Sequence, residues 1–344
     1  MKKNEYFSDL DKLLGNDYAG VVEDGTMSDV SGYIDSGSYA LNALLSGSIY
    51  KGLPGNKITA LAGIESVGKT YVMLAILKNF LDMNKDGLGI VFESEGSITK
   101  EIMDSRGIDV KRVYMIPVET VQQFKTQCTR VVESYLTKSE EDRKPLFLAL
   151  DSLGMLSTTK EMDDSGTGKE VRDMTRTQEI KSAFRTLTLR LSKAKIPMVV
   201  TNHVYQLVGS YVPTKEHSGG AGLKYAASSI VELSKTKAKD DEGKITGVLI
   251  KSKLIKSRLV RENQIIQMLL SFNTGLDRYY GLLDFAIDSG AFEKNANRIR
   301  IDGKCVSKKQ ILASPEKYYT KEVLDKIDQY VGTTFLFGQS LISE

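Results

Sequence analysis

The chain has 344 residues, 41% hydrophobic and 26% charged, a size and balance that fit one large globular domain or a core with small appendages. A net charge of +3 is too small to argue for nucleic acid, so any polyanion site must come from local clusters. No apolar run reaches the roughly 18 residues of a membrane span. The opening Met1-Lys2-Lys3-Asn4 lacks a signal-peptide core. Cys128 and Cys305 match no metal spacing. The expectation is a cytoplasmic protein with free thiols and no membrane contact.

Residues 1–30 are polar apart from Leu10, Leu13, Leu14, Val21 and Val22. They predict a short amphipathic helix at about 5–15, an arm that must dock on its own core or on a neighbour. Residues 39–45 read as a helix, and Gly52-Leu53-Pro54-Gly55 as a turn into the next strand. The run 57–62 is short and apolar, a buried strand. Next comes Gly63-Ile64-Glu65-Ser66-Val67-Gly68-Lys69-Thr70, which fits G-x-x-x-x-G-K-S/T, and residues 71–80 read as a helix. Strand, glycine-rich turn and helix together aim backbone N–H groups and a helix N-terminus at one point, which suits the triphosphate of ATP. Gly63, Glu65, Ser66, Val67, Gly68, Lys69, Thr70 and Tyr71 are the candidate nucleotide contacts. Lys69 would neutralise the β- and γ-phosphates, and the Thr70 hydroxyl would hold Mg²⁺.

Strands and helices alternate from there. Strands are expected at 89–92, 113–116, 146–150 and 197–201, with helices at 98–106, 121–137 and 173–195. This implies an α/β fold with a mostly parallel sheet covered on both faces. Further strands are expected at 229–234, 247–253 and 265–272, with 235–244 as an exposed hairpin turn. The division is an arm at 1–30, a core at 31–285 and a small mixed appendage at 286–344, with a helix near 318–331.

Ligands of such sheets bind at the carboxyl ends of the strands. Asp151 closes an apolar strand in the Walker-B manner and would hold Mg²⁺ opposite Thr70. Glu95, just past the second strand, is the candidate general base; Glu93 competes, and register alone does not separate them. His203, at a third strand end, is placed to sense the γ-phosphate. Residues 160–170 and 206–222 read as long loops, which are uncommon unless functional. The second reads equally as a nucleotide lid or as a DNA contact. Lys251, Lys253, Lys256, Arg258 and Arg261 form a basic cluster for phosphates of DNA or of an adjoining subunit's nucleotide.

The P-loop, Glu93-Ser94-Glu95, Leu150-Asp151-Ser152-Leu153-Gly154, Asp173-Met174-Thr175-Arg176, Thr201-Asn202-His203-Val204-Tyr205, Gly219-Gly220, Lys256-Ser257-Arg258-Leu259-Val260 and Tyr280-Gly281-Leu282-Leu283-Asp284 stand in the order of the RecA-type recombinases. The chain resembles that family over roughly residues 30–290, and within it the recombinases of T4-like bacteriophages. The resemblance implies a RecA-like P-loop ATPase core that assembles as a helical filament on single-stranded DNA and exchanges strands with double-stranded DNA. It implies Glu95 and Lys69 as catalytic groups and His203 as sensor, where bacterial RecA has a glutamine. It implies that the two loops contact DNA, through Lys160, Lys169, Arg172, Arg176, Tyr211, Lys215, Gly219 and Gly220. It implies that Lys256 and Arg258 reach a neighbour's ATP, and that the arm packs on a neighbouring copy. Single-strand-binding protein and a recombination mediator are the further partners it suggests. Gly96-Ser97-Ile98-Thr99 lacks the family's adenine-stacking aromatic. The competing readings are a hexameric helicase of the same fold, a non-catalytic recombinase paralogue and a P-loop small-molecule kinase.

Overall fold

The computed structural model describes residues 5–16, 18–166, 175–206, 215–217, 221–240, 242–296 and 298–338. The arm carries α1 (Glu5–Leu14), whose Leu13 and Leu14 face solvent. β1 (Tyr33–Ile34) pairs with β2 (Leu53–Pro54). Between them lies α2 (Tyr39–Ser46), capped by the Ser38 hydroxyl and ended by Gly47 in the left-handed region. β3 (Ile58–Gly63) leads into α3 (Lys69–Met83). β4 (Leu88–Glu93), α4 (Lys100–Ser105), β5 (Val113–Pro117), α5 (Val121–Leu136) and β6 (Leu146–Asp151) follow in alternation. Then come α6 (Thr159–Gly166), α7 (Arg176–Ala194), β7 (Met198–Gln206), β8 (Lys215–His217) and α8 (Ala221–Ala226). An antiparallel run closes the large sheet: β9 (Ser229–Lys239), β10 (Ile245–Ser257), β11 (Ile265–Ser271) and β12 (Gly275–Leu276). The last segment holds α9 (Leu282–Asp288), a three-stranded sheet of β13 (Glu293–Asn295), β14 (Arg298–Ile301) and β15 (Lys304–Val306), then α10 (Lys308–Ala313), α11 (Pro315–Tyr318) and α12 (Lys321–Phe335).

The large sheet runs β12-β11-β10-β9-β3-β7-β6-β4-β5, with β8 folded back on β7. β9, β3, β7, β6, β4 and β5 are parallel. The mostly parallel α/β sheet is the one expected from the alternating elements. β3 and β6 are buried throughout, as strands covered on both faces must be. Their alternating side chains feed two cores. Leu61, Phe147 and Ala149 pack with α3, α2, α9 and α12; Ala60, Ala62, Leu146, Leu148 and Leu150 pack with α5 and α7. Phe292, Ile299, Ile311, Ile327 and Phe335 of the last segment belong to the first of these cores.

Three stretches depart from the sequence reading. Residues 159–166 are the helix α6, not part of a loop: the Thr158 hydroxyl accepts from the Glu161 N–H at 3.1 Å, and the Glu161 carboxylate accepts from the Thr158 N–H at 2.9 Å. That reciprocal pair is a capping box. Residues 215–217 are a strand, β8, paired with Val204–Gln206. The turn expected at 235–244 is shorter, because β9 continues to Lys239 and pairs along β10. No helix among the described residues is long and apolar enough to cross a membrane.

Candidate active site

Parallel register sets the site. Gly63 lies beside His203, and Glu93 beside Asp151, so the ends of β3, β4 and β6 meet His203 at one edge of the sheet. β7 runs three residues beyond His203, because Val204–Gln206 pair with β8, so His203 does not close its strand as expected. From β3 the chain turns through Ser66 (φ 55°) and Gly68 (φ 101°) into α3. The left-handed geometry at Gly68 is open to glycine without strain. A cleft of about 690 Å³ opens here, lined by Glu65, Ser66, Val67, Gly68, Lys69, Thr70 and Tyr71 on one side. Glu95, His203, Arg106, Lys235 and Phe272 face them.

Lys69 is only 6% exposed and donates to the carbonyls of Gly63 (3.1 Å) and Ile64 (2.9 Å). Burial pushes its pKa down, and Glu95 and Asp151 pull it back up. Among the described residues no carboxylate pairs with it directly, which leaves a buried cation suited to an incoming anion. The Thr70 hydroxyl donates to Asp151 at 2.7 Å, and the Thr201 hydroxyl donates to the other Asp151 oxygen. Burial raises the Asp151 carboxyl pKa, with Glu95 and Glu93 adding to it, while the two hydroxyls lower it. Hydroxyl and carboxylate oxygens side by side, in a carboxylate-rich and desolvated pocket, are a donor set that fits Mg²⁺.

The two candidate bases separate by their contacts. Glu93 accepts from the N–H groups of Glu95 (3.2 Å) and Ser97 (2.8 Å), so it shapes the turn after β4. Glu95 faces the cleft, with His203 Nε2 at 3.0 Å and the Ser152 hydroxyl donating to the same oxygen. The His203 hydrogen bond holds its carboxyl below the ordinary range, against desolvation that raises it. A Cβ at Gly154 would stand 2.7 Å from His203 Cδ2, so a glycine there lets the imidazole lie over the turn after β6.

Arg106, unremarked in the sequence, lies on the Tyr71 ring with its guanidinium carbon 3.9 Å from the ring centroid. Its buried Nε has no hydrogen-bond partner among the described residues. Lys235, also unremarked, donates to the Ser66 carbonyl at 2.5 Å.

Lys256 and Arg258 lie elsewhere. Lys256 pairs with Ile230, and Ile230 with Ala60, at the amino-terminal side of the parallel strands, away from this chain's own phosphate loop. Lys256 donates to the carbonyls of Lys224 and Ala227, and Arg258 to that of Tyr225. Burial and the Arg258 charge push Lys256 down to about 8. Beside them a second cavity of about 670 Å³ runs between α7 and α8, lined by Lys57, Lys181, Arg185 and Arg258. Lys181 and Arg185 are one helical turn apart, a shared-face signal that the sequence reading missed. Lys160 is exposed on α6, and Lys215 lies on β8. Arg176 turns inward, donating to the carbonyls of Leu156 (3.0 Å) and Gly154 (2.9 Å). Lys169, Arg172, Tyr211, Gly219 and Gly220 lie outside the described residues.

A family model described as the RecA N-terminal domain matches residues 3–277. The recombination and repair protein of Enterobacteria phage T4 is 30% identical over 257 residues, covering 75% of this chain and 64% of that protein. The match thus spans under two thirds of that relative's length. The RecA protein of Arthrobacter sp. (strain FB24) is 24% identical over 275 residues, 78% of this chain and 73% of its own. That of Mycoplasmopsis pulmonis is 24% identical over 330 residues, 94% and 91% of the two chains. The resemblance to RecA-type recombinases, the T4 protein included, is borne out, and the chain belongs to the RecA family.

Proposed function

We propose that this chain is a DNA-dependent ATPase and strand-exchange recombinase, working as a helical filament on single-stranded DNA. The observation that carries the reading is the Glu95–His203 pair at 3.0 Å, standing across the cleft from the phosphate loop. Lys69 binds the β- and γ-phosphates of ATP. Mg²⁺, held by Thr70 and Asp151, would screen the phosphate charge. Glu95 orients the attacking water and takes its proton. His203 holds Glu95 in place and feels the loss of the γ-phosphate; β7 carries that change into residues 206–222. The adenine has no aromatic platform after Glu95, and the Arg106–Tyr71 stack beside Phe272 supplies a flat surface instead.

Lys160, Lys169, Arg172, Lys215, Gly219 and Gly220 bind DNA phosphates, with Tyr211 stacking on a base. Lys256 and Arg258 reach the ATP of the adjoining copy, and α1 packs its open apolar side on a neighbour. Single-strand-binding protein and a mediator are partners that share the same DNA in the host cytoplasm.

The test is ATP hydrolysis at low salt, with and without single-stranded DNA, over a protein concentration series. DNA stimulation with a cooperative rise in rate is expected. Turnover that ignores DNA and is flat in concentration overturns the reading.

A further inference from the structure

Lys235 has no part in the chemistry described above, yet it touches the phosphate loop. Leu233 of β9 pairs with Gly63, the first residue of the loop, and a Cβ at Gly63 would come within 2.7 Å of the Leu233 carbonyl. β9 therefore runs on past β3 alongside the loop. Lys235 is two positions further along, on the same face of the strand as Leu233. Its ammonium donates to the Ser66 carbonyl at 2.5 Å. Ser66 is a non-glycine residue with φ 55°, a conformation that side chains disfavour and that surrounding contacts must hold. A trans peptide points its N–H opposite its C=O. Fixing the Ser66 carbonyl toward β9 thus turns the Val67 N–H away from β9.

We propose that Lys235 is a positioning residue for the nucleotide site: it holds the Ser66–Val67 peptide so that the Val67 N–H faces the β-phosphate. The proposal rests on the nucleotide-binding reading of this cleft. Without the ammonium, the peptide is free to turn its carbonyl toward the phosphate, which repels it. Because the β-phosphate is common to ADP and ATP, both should feel the loss equally. A direct contact to the γ-phosphate would instead discriminate between them.

The experiment titrates fluorescent ADP and ATP analogues into the full chain and its Lys235→Met, Lys235→Arg and Lys237→Met variants. Lys237 is the next exposed lysine on that face of β9. Lys235→Met should weaken both nucleotides about tenfold, the order of one charge-assisted hydrogen bond. In hydrolysis, KM for ATP should rise by a like factor while kcat at saturation holds. Lys235→Arg keeps a donor and should bind within about threefold of wild type, and Lys237→Met should bind normally. Wild-type affinity in Lys235→Met overturns the proposal, as does loss of ATP affinity alone or an arginine variant as weak as the methionine one. A wild-type chain that binds neither nucleotide overturns the nucleotide reading itself, a distinct result.

Discussion

His203 and Glu95 share one hydrogen bond, and in the proposed mechanism that bond sets when the base is ready. It is the largest influence lowering the Glu95 carboxyl, ahead of desolvation, which raises it, and the Ser152 hydroxyl, which lowers it. A general base works ionised, so a lowered pKa keeps Glu95 competent as the solution becomes acidic. The rate should fall only as pH drops through that lowered value. His203→Ala removes the main lowering influence, so the acid limb of the kcat profile should move to higher pH. His203→Gln retains a donor and should leave the limb near its wild-type place. An acid limb unmoved in His203→Ala would show that the imidazole does not govern the carboxylate. The sequence placed both residues at strand ends but left Glu93 open. The resemblance pointed to Glu95, and the contacts, Glu93 to the turn N–H groups and Glu95 to His203, support the same choice.

The helix that begins at the phosphate loop is anchored at its far end by a residue from another strand connection. The Arg112 guanidinium donates to the carbonyls of Leu81 (2.9 Å), Asn84 (2.9 Å) and Lys85 (3.1 Å), at and just past the last turn of α3. The Leu81 carbonyl belongs to the last turn, where a helix end leaves acceptors unsatisfied, and a cation there also meets the negative end of the dipole. Arg112→Ala should cost about 2 kcal/mol in denaturant unfolding, with unchanged nucleotide contacts; a variant of wild-type stability would show that water replaces the cap. Elements were legible where apolar runs were continuous, as in β3, β6 and β7. α6 was missed because it is polar nearly throughout, although its Thr158-x-x-Glu161 signature stood in the sequence. The outer part of β9 was missed for another reason: Lys235, Lys237 and Lys239 carry no apolar alternation, and its pairing with β10 alone makes it a strand.

Across the whole molecule, the groups implied for one ATP site lie at two ends of the sheet. The phosphate loop, Glu95, Asp151 and His203 gather at the carboxyl ends of the parallel strands, while Lys256 and Arg258 sit near the start of β9. A single chain cannot bring these sets together without breaking β10, whose ladder with β9 runs from Ile245 to Ser257. Two copies arranged head to tail can, and a head-to-tail contact that does not close makes a helix. The order of motifs made the family legible, but not this separation, because distance in sequence says little about which end of a strand a residue occupies. Lys181 and Arg185, which line the cavity beside Arg258, stand on a regular helix and gave only a helix-spacing signal.

The most direct test of a site shared between copies is a mixing experiment on DNA-stimulated ATP hydrolysis. Glu95→Gln chains lack the base but offer Lys256 and Arg258; Lys256→Ala/Arg258→Ala chains retain the base but lack those cations. Each alone should be nearly inactive. Mixed one to one on single-stranded DNA, random head-to-tail assembly makes about a quarter of the interfaces complete, so about a quarter of the wild-type rate should return. A mixture no more active than its parts, at any ratio, would contradict the account.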